Sequence, residues 1–274
     1  MNIDIVMKTP KHCDIDLDNW RNYIGDITTN SRWLSNTSDN PIFGNFIIPK
    51  RNWEFEAEKL NHHGIWIPEI PYQMITRFSR KSDTVWSVFG GTGIDYDVAQ
   101  YLGRECVIND IVPKRNIIQF GDSRTFNPKK EIQLALVHPP YWDMVKYSDE
   151  DIDGSSKTNL KDFLYWWEEI VENIDRYLVK EGYFILACGN LYKNSEEIEL
   201  GEILKNMVLK KGYILKQHII KDYGETKGTE AKNYNVNYYR QLRGGYGNFY
   251  GDNIYVLKKQ KSKNKISELL REFL

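Results

Sequence analysis

From Thr84 onward, short apolar runs alternate with stretches of helical periodicity. Strands are predicted over Thr84–Phe89, Cys106–Asn109, Asn116–Phe120, Ile132–Val137, Tyr183–Cys188, Tyr213–Ile220 and Asn253–Leu257. Helices are predicted over Asp95–Leu102, Leu160–Val179 and Ile198–Leu209. Because this alternation builds strand–helix–strand units, it predicts an α/β fold with a mostly parallel central sheet and helices on both faces.

Two parts of the chain lack this rhythm. Residues 1–64 carry scattered Asn and Trp and only short apolar patches, which predicts an irregular N-terminal lobe or a wrap around the main domain. Residues 65–274 hold the α/β pattern, interrupted at about 222–251 by an insertion rich in Gly, Asn and Tyr. We therefore expect one core domain with an N-terminal lobe and a late insertion.

Charge and cysteine content exclude several classes of protein. The formal net charge is -1, with Lys+Arg 37 against Asp+Glu 38, so the whole-molecule charge gives no nucleic-acid signal. The three cysteines fit neither a disulfide framework nor a metal-ligand pattern. They favour a reducing, cytoplasmic compartment and no metal site. The absence of a secretory leader pattern and of a long apolar run predicts no membrane span.

Residues at the ends of consecutive predicted strands suit a nucleoside ligand. The turn Phe89-Gly-Gly-Thr-Gly93 follows a strand and opens a helix, so its backbone can approach a ligand closely. The next strand ends at Asp110, whose carboxylate can accept hydrogen bonds from ribose hydroxyls. The third ends at Asp122, where a carboxylate can accept from an adenine amino group. Together they predict an adenosine-containing ligand at the carboxyl edge of the sheet.

The fourth predicted strand ends in His138-Pro139-Pro140-Tyr141. Prolines lack a backbone donor but keep their carbonyl acceptors, so this turn can accept hydrogen bonds from a ligand amine. Because the carboxyl ends of parallel strands meet at one edge, the turn should lie beside the predicted nucleoside site.

At this point the chain resembles the S-adenosylmethionine-dependent amino-methyltransferases that act on exocyclic nitrogens of DNA bases. The resemblance covers about residues 65–221 and the last strand, with landmarks at Ile67–Pro71, Val85–Gly93, Val107–Asp110, Phe120–Arg124, Leu136–Trp142 and Gly182–Asn190. It implies a Rossmann-like methyltransferase fold and S-adenosylmethionine as the cofactor. It also implies methylation of adenine N6 or cytosine N4 in double-stranded DNA, with a restriction or defence protein as partner.

The resemblance assigns roles to individual residues. His138 and the Pro139 carbonyl would accept hydrogen bonds from the target amine, and Tyr141 would stack on a base flipped out of the duplex. Cofactor contacts are implied for Ser87, Phe89, Gly90, Gly91, Thr92, Gly93, Asp110, Ile111, Asp122 and Ser123. For DNA contact, the interleaved Arg and Tyr of the late insertion favour Tyr239, Arg240 and Arg243, and Lys146, just after the tetrapeptide, is a further candidate at the substrate entrance. The N-terminal lobe and the late insertion are expected to bind the DNA and read its sequence.

Two positions depart from the family pattern. Ser87 stands where the family usually has Asp, whose carboxylate faces the amino group of the cofactor. His138 stands where the family has Asp, Asn or Ser. A neutral imidazole can accept from an amine and a protonated one cannot, which predicts a dependence of activity on pH near the ordinary His pKa.

Several alternatives remain open at the level of sequence. A Trp directly after the tetrapeptide, here Trp142, is similar to the pattern of relatives that methylate cytosine. An acceptor side chain as the first residue of the tetrapeptide, here His138, is similar to the pattern of relatives that methylate adenine. The alternative functions are an RNA amine methyltransferase and a catalytically inactive, nucleic-acid-binding subunit. The sequence predicts neither the recognition site nor the oligomeric state.

Overall fold

The structure is a computed structural model that describes residues 12–23, 26–34, 46–47, 53–60, 64, 66–194, 196–222, 239, 242–245, 247, 249 and 251–260. Its helices are α1 (Glu69–Phe78), α2 (Ile94–Tyr101), α3 (Leu160–Tyr177) and α4 (Leu200–Lys210). The strands are β1 (Arg32–Leu34), β2 (Phe46–Ile47), β3 (Thr84–Ser87), β4 (Glu105–Asp110), β5 (Gln119–Phe120), β6 (Ile132–Val137), β7 (Leu178–Cys188), β8 (Leu191–Lys193), β9 (Glu196–Ile198), β10 (Tyr213–Asp222) and β11 (Gly251–Lys259).

One central sheet organises the described residues, with the strand order β2-β1-β10-β11-β7-β6-β3-β4-β5. All neighbouring strands are parallel except for β11, which runs antiparallel between β7 and β10. The order reverses between β3 and β6, so the chain leaves these two strands in opposite directions and opens a crevice beyond their carboxyl ends. This arrangement is the predicted Rossmann-like methyltransferase fold, with β1 and β2 added at one edge.

Helices cover both faces of the sheet, as predicted. Helices α1 and α2 pack on the face formed by side chains such as Leu134, Leu136 and Ile185. Helices α3 and α4 pack on the opposite face, against side chains such as Ala135 and Phe184. Successive residues of β6 and β7 therefore enter opposite cores, which explains why both strands are apolar without alternation.

The predicted strands and helices all exist, but some of their ends differ. The third predicted strand shortens to Gln119–Phe120, because Arg115–Ile118 forms a turn closed by the Ile118 N–H and the Arg115 carbonyl. Helix α3 ends at Tyr177, and the chain enters β7 at once, five residues before the predicted start of that strand. Glu181 lies there with a φ of 69°, and the pairing of β6 with β7 shifts register, so a bulge replaces the predicted helix end.

Part of the N-terminal segment joins the central sheet. Strand β1 pairs with β10 and β2 pairs with β1, and Arg32 forms an ion pair with Asp222. Strands β1 and β2 thus extend one edge of the sheet, while the division of the chain after residue 64 and a role of residues 1–64 in DNA recognition stay predictions. Within the insertion, Phe249 stacks on Tyr192 of β8 with ring centroids 4.7 Å apart.

In the described part of the chain, no helix has the length and apolar character needed to cross a bilayer. Those residues also contain no group of three or more His, Cys, Asp or Glu side chains placed to bind a metal. The three cysteines are free thiols.

Candidate functional site

A cleft of about 600 Å³ opens at the carboxyl edge of the sheet, where the strand order reverses. Its walls come from the turns after β3, β4, β5 and β6, from Gly64 and Trp66, from the segment at 144–153, and from the ends of β10 and β11. Residues of the predicted nucleoside site and of the predicted amine-binding turn therefore line the same cleft.

The glycine turn after β3 forms one wall. Gly93 has a φ of 85° and caps α2, a conformation that an L side chain adopts only at a cost. At Gly90 a Cβ would lie 2.7 Å from Cγ1 of Ile108, so only glycine lets the turn approach β4. Thr92 lines this wall, and its hydroxyl is buried with no hydrogen-bond partner among the described residues.

Asp110 and Asp122 present carboxylates at the ends of β4 and β5. The Asp110 carboxylate accepts from the backbone N–H groups of Gly91 and Val112, both at 2.8 Å. These bonds tie the glycine turn to β4 and hold the carboxylate at the mouth of the cleft. Asp122 instead forms a bidentate ion pair with Arg124, with its shortest contact at 2.7 Å.

Ser123 lines the cleft, but its hydroxyl has a structural task. It donates to the Val88 carbonyl at 2.7 Å and accepts from the Asn109 amide at 2.9 Å. The Asn109 amide oxygen in turn accepts from the Trp86 indole at 2.8 Å. This buried network fixes the ends of β3, β4 and β5 relative to one another, so a ligand meets a rigid edge.

The tetrapeptide after β6 forms the opposite wall and is held by a chain of polar contacts. Nε2 of His138 lies 3.1 Å from the Tyr141 hydroxyl, which donates to Asp252 of β11 at 3.2 Å. The other carboxylate oxygen of Asp252 lies 3.3 Å from Nζ of Lys221 on β10. The imidazole also stacks on Trp66, with centroids 5.2 Å apart and an interplanar angle of 26°.

Two neighbouring residues fix the turn in place. At Gly189 a Cβ would lie 2.8 Å from Oδ1 of Asp252 and 2.9 Å from Cε2 of Tyr141, so glycine is needed for these two side chains to meet. Trp142 has a φ of 50°, which is uncommon for a non-glycine residue. Its indole donates to the Lys157 carbonyl at 2.9 Å, and this anchor helps to hold the strained backbone directly after the tetrapeptide.

A carboxylate that the sequence pattern did not single out lies between the two walls. Asp95, in the first turn of α2, lines the cleft and is 6% exposed. Its two oxygens accept from the Ser87 hydroxyl at 2.8 Å and from the Trp66 indole at 2.7 Å. Burial raises the pKa of Asp95 from its ordinary 3.8 to about 6, and the two hydrogen bonds oppose that rise.

The segment at 144–153 closes the cleft from outside. Asp153 accepts from the backbone N–H groups of Ser148 and Ser155, which orders the turn. A Cβ on Gly64 would lie only 2.7 Å from the Tyr147 hydroxyl. Because glycine has no Cβ, Gly64 and Tyr147 can approach each other beside the cleft. Burial raises the pKa of Tyr147, which keeps its hydroxyl protonated.

The predicted DNA-contacting residues lie in different surroundings. Lys146 lines the cleft and forms an exposed ion pair with Asp149. Tyr239 is 62% exposed, and Arg243 is also exposed. Arg240 lies outside the described residues. Contact of these residues with DNA stays a prediction.

Of the ten predicted cofactor contacts, eight line the cleft: Phe89, Gly90, Gly91, Thr92, Asp110, Ile111, Asp122 and Ser123. Gly93 and Ser87 do not line it; Gly93 caps the helix, and Ser87 is fully buried behind Asp95. The four tetrapeptide residues all line the cleft. Four further residues line the cleft although the sequence did not predict them: Trp66, Asp95, Lys221 and Asp252. For Asp95, the sequence offers one signal, its position two residues after the glycine turn.

No protein-family model matches the chain, and no curated protein matches its sequence. Among solved structures, the chain is similar to TrmN from Thermus thermophilus, with 17% identity, a TM-score of 0.44, and 70% of this chain and 48% of that chain covered. It thus spans about half of the TrmN chain. A methyltransferase from Pyrococcus furiosus matches with 13% identity, a TM-score of 0.43, and coverage of 73% and 87%.

A third similar structure is the O-methyltransferase from a trans-AT PKS multienzyme of Brevibacillus brevis, in complex with S-adenosyl-L-homocysteine. It is 13% identical, with a TM-score of 0.39 and coverage of 65% of this chain and 67% of that chain. The strand order of the central sheet defines the fold, and the contacts described above define the site.

Proposed function

We propose that this chain binds S-adenosylmethionine and transfers its methyl group to an exocyclic amino group of a DNA base, adenine N6 or cytosine N4, as the modification component of a restriction or defence system. The observation that carries the proposal is the single cleft in which the glycine turn and Asp110 face the His138-Pro139-Pro140-Tyr141 turn.

The cleft has the chemistry that the cofactor requires. The glycine turn admits close approach of a ligand, and Asp110 offers acceptors for ribose hydroxyls. When bound, the cofactor supplies a methyl group activated by a sulfonium sulfur.

The tetrapeptide is suited to positioning an amine. Because the Tyr141 hydroxyl donates to Asp252, its oxygen is an acceptor, and Nε2 of His138 is assigned as the protonated nitrogen. In the neutral ring, Nδ1 is then the acceptor. When His138 and the Pro139 carbonyl accept hydrogen bonds from the substrate amine, they favour a pyramidal amine nitrogen whose lone pair is exposed. The proton that this nitrogen loses after methylation can pass to His138.

The shape of the site supports a flat, flipped-out substrate. Tyr141 is held at its hydroxyl by Asp252, which leaves its ring as a fixed surface on which a base can stack. Trp66 and His138 form a second aromatic pair at the same wall. A base inside a duplex cannot reach such a wall, so the proposal requires base flipping.

The test is transfer of a labelled methyl group to duplex DNA, with single-stranded DNA and structured RNA of the same sequence as parallel substrates. We expect transfer to the duplex and, after digestion to nucleosides, either N6-methyladenine or N4-methylcytosine. His138→Ala should abolish transfer while cofactor binding by calorimetry stays near that of the wild type. Preferred transfer to RNA would replace this proposal by the RNA alternative.

The inactive-subunit alternative gives a different outcome. Such a protein would bind S-adenosylmethionine and DNA without transferring the methyl group to any substrate. DNA binding itself is tested with Arg243→Ala, which should weaken binding and reduce its dependence on salt, because a phosphate contact releases counterions. Unchanged binding and an unchanged salt slope would remove Arg243 from the proposed DNA surface.

A further inference from the structure

Asp95 is a buried carboxylate that lines the cleft. Its hydrogen-bond partners are both neutral, the Ser87 hydroxyl and the Trp66 indole. Among the described residues, no Lys, Arg or His side chain forms an ion pair with it. Buried charges are normally paired, so this one calls for an explanation.

The neighbouring acid on the same helix shows the contrast. Asp97 lies two residues further along α2 and forms a bidentate ion pair with Arg115, with both contacts at 2.9 Å. A cation thus lies close to this helix, yet Arg115 pairs with Asp97 and not with Asp95. Packing instead turns Asp95 toward the cleft, where a bound ligand can supply a positive charge.

Several contacts orient the Asp95 carboxylate and oppose the effect of burial on its charge. The first turn of a helix favours negative charge, and two donors hold its oxygens in fixed directions. The donor Ser87 ends β3, the strand that leads into the glycine turn, and Trp66 stacks on His138. A cation that reached Asp95 would thus lie between the glycine turn and the tetrapeptide.

Resting on the proposed function, we infer that Asp95 binds the ammonium group of the amino-acid part of the cofactor, and that Ser87 and Trp66 position it for this contact. The carboxylate comes from the helix after the glycine turn, while the end of the strand carries only a hydroxyl. The departure at Ser87 is in this way compensated by a residue that lies beside it in space.

Calorimetric titration with two ligands isolates this contact. S-adenosylhomocysteine carries the ammonium group, and 5′-methylthioadenosine has the same adenosine and thioether sulfur but no amino-acid part. For Asp95→Asn, we expect the affinity for S-adenosylhomocysteine to fall roughly 10- to 100-fold, the effect of losing one hydrogen-bonded charge contact. The affinity for 5′-methylthioadenosine should change by less than about threefold.

Asp175→Asn is the matched control. It also removes one carboxylate that accepts from a hydroxyl, here that of Tyr213 at 2.8 Å, but on the opposite edge of the sheet. We expect it to leave both affinities unchanged. A second test variant, Trp66→Phe, keeps an aromatic ring and removes only one donor to Asp95, so it should weaken S-adenosylhomocysteine selectively and by less than Asp95→Asn does.

The outcomes separate this inference from the function on which it rests. If the wild type binds both ligands and Asp95→Asn lowers both affinities equally, or neither, Asp95 does not bind the ammonium group and the inference is overturned. If the wild type binds neither ligand, the proposed cofactor itself is wrong and the inference falls with it. Circular dichroism of each variant establishes that the titrated protein is folded.

Discussion

Replacing Asp95 by Asn should make the protein more stable in the absence of ligand. Burial holds the pKa of this carboxyl at about 6, against an ordinary 3.8. Between these two values the folded state binds a proton that the unfolded state has released, so stability falls as the pH rises through this window. Above pH 6 both states are ionised and the full cost remains.

The size of the effect follows from the shift. A difference of about two pKa units corresponds to about 3 kcal/mol of destabilisation at pH 7.5, and to about 1 kcal/mol at pH 4.5, where the folded carboxyl is protonated and only the cost of protonating it remains. Asparagine carries no charge, but its amide fits two donors less well, which offsets roughly 1 kcal/mol. Asp95→Asn should therefore gain about 2 kcal/mol at pH 7.5 and close to nothing at pH 4.5.

Urea unfolding of both proteins at the two pH values measures this difference. The groups nearest to Asp95 do not interfere, because Ser87 and Trp66 are neutral and burial raises the pKa of the Cys106 thiol well above its ordinary value. As a control, Asp175→Asn should destabilise the fold, since Tyr213 and Lys259 lose a partner. Equal stability of wild type and Asp95→Asn at pH 7.5, or a gain that does not depend on pH, would refute the reasoning.

Three further predictions concern the walls of the cleft. Gly189→Ala places a Cβ within 3 Å of Asp252 and Tyr141. Methyl transfer should therefore fall at least about tenfold, while calorimetry should show a cofactor affinity within about twofold of that of the wild type. A normal rate of transfer would show that the contact between Tyr141 and Asp252 is dispensable. Asp110→Asn loses an acceptor for Gly91 or Val112 and for the ribose, so the affinity for S-adenosylhomocysteine and for 5′-methylthioadenosine should fall together, roughly 10- to 100-fold, and loss of only one would contradict the assignment. Gly154→Ala drives a Cβ to 2.6 Å from the Trp166 ring, so urea unfolding should show a loss of about 1–3 kcal/mol from overpacking, and unchanged stability would mean that the turn relaxes freely.

Much of the fold could be predicted because it depends on local patterns. The apolar runs that became β6 and β7, and the periodicity of α3, are readable from neighbouring residues alone. The bulge at Glu181 could not be read, because a bulge depends on the pairing of two strands. The short strands β1 and β2 also escaped prediction, since β1 forms by pairing with β10 and β2 by pairing with β1.

The candidate site divides in the same way. Gly91, Asp110 and His138 follow strand ends in the sequence, and parallel strands bring their carboxyl ends to one edge, so their meeting could be expected. The contact of Tyr141 with Asp252 was not predictable, because it requires β11 to lie antiparallel beside β7. Only the tertiary structure reveals that pairing.

The sequence by itself determined that this chain forms an α/β sheet with a glycine turn, acids at strand ends and a proline-rich turn at one edge. Tertiary structure alone decided which of the two acids at the start of α2 faces the cleft. Asp95 and Asp97 are two residues apart on the same helix, yet one lies beside Ser87 in the cleft and the other pairs with Arg115. The physical reason is that side chains two residues apart on a helix point in different directions, and only the packing of α2 on β3 assigns each direction to a surrounding.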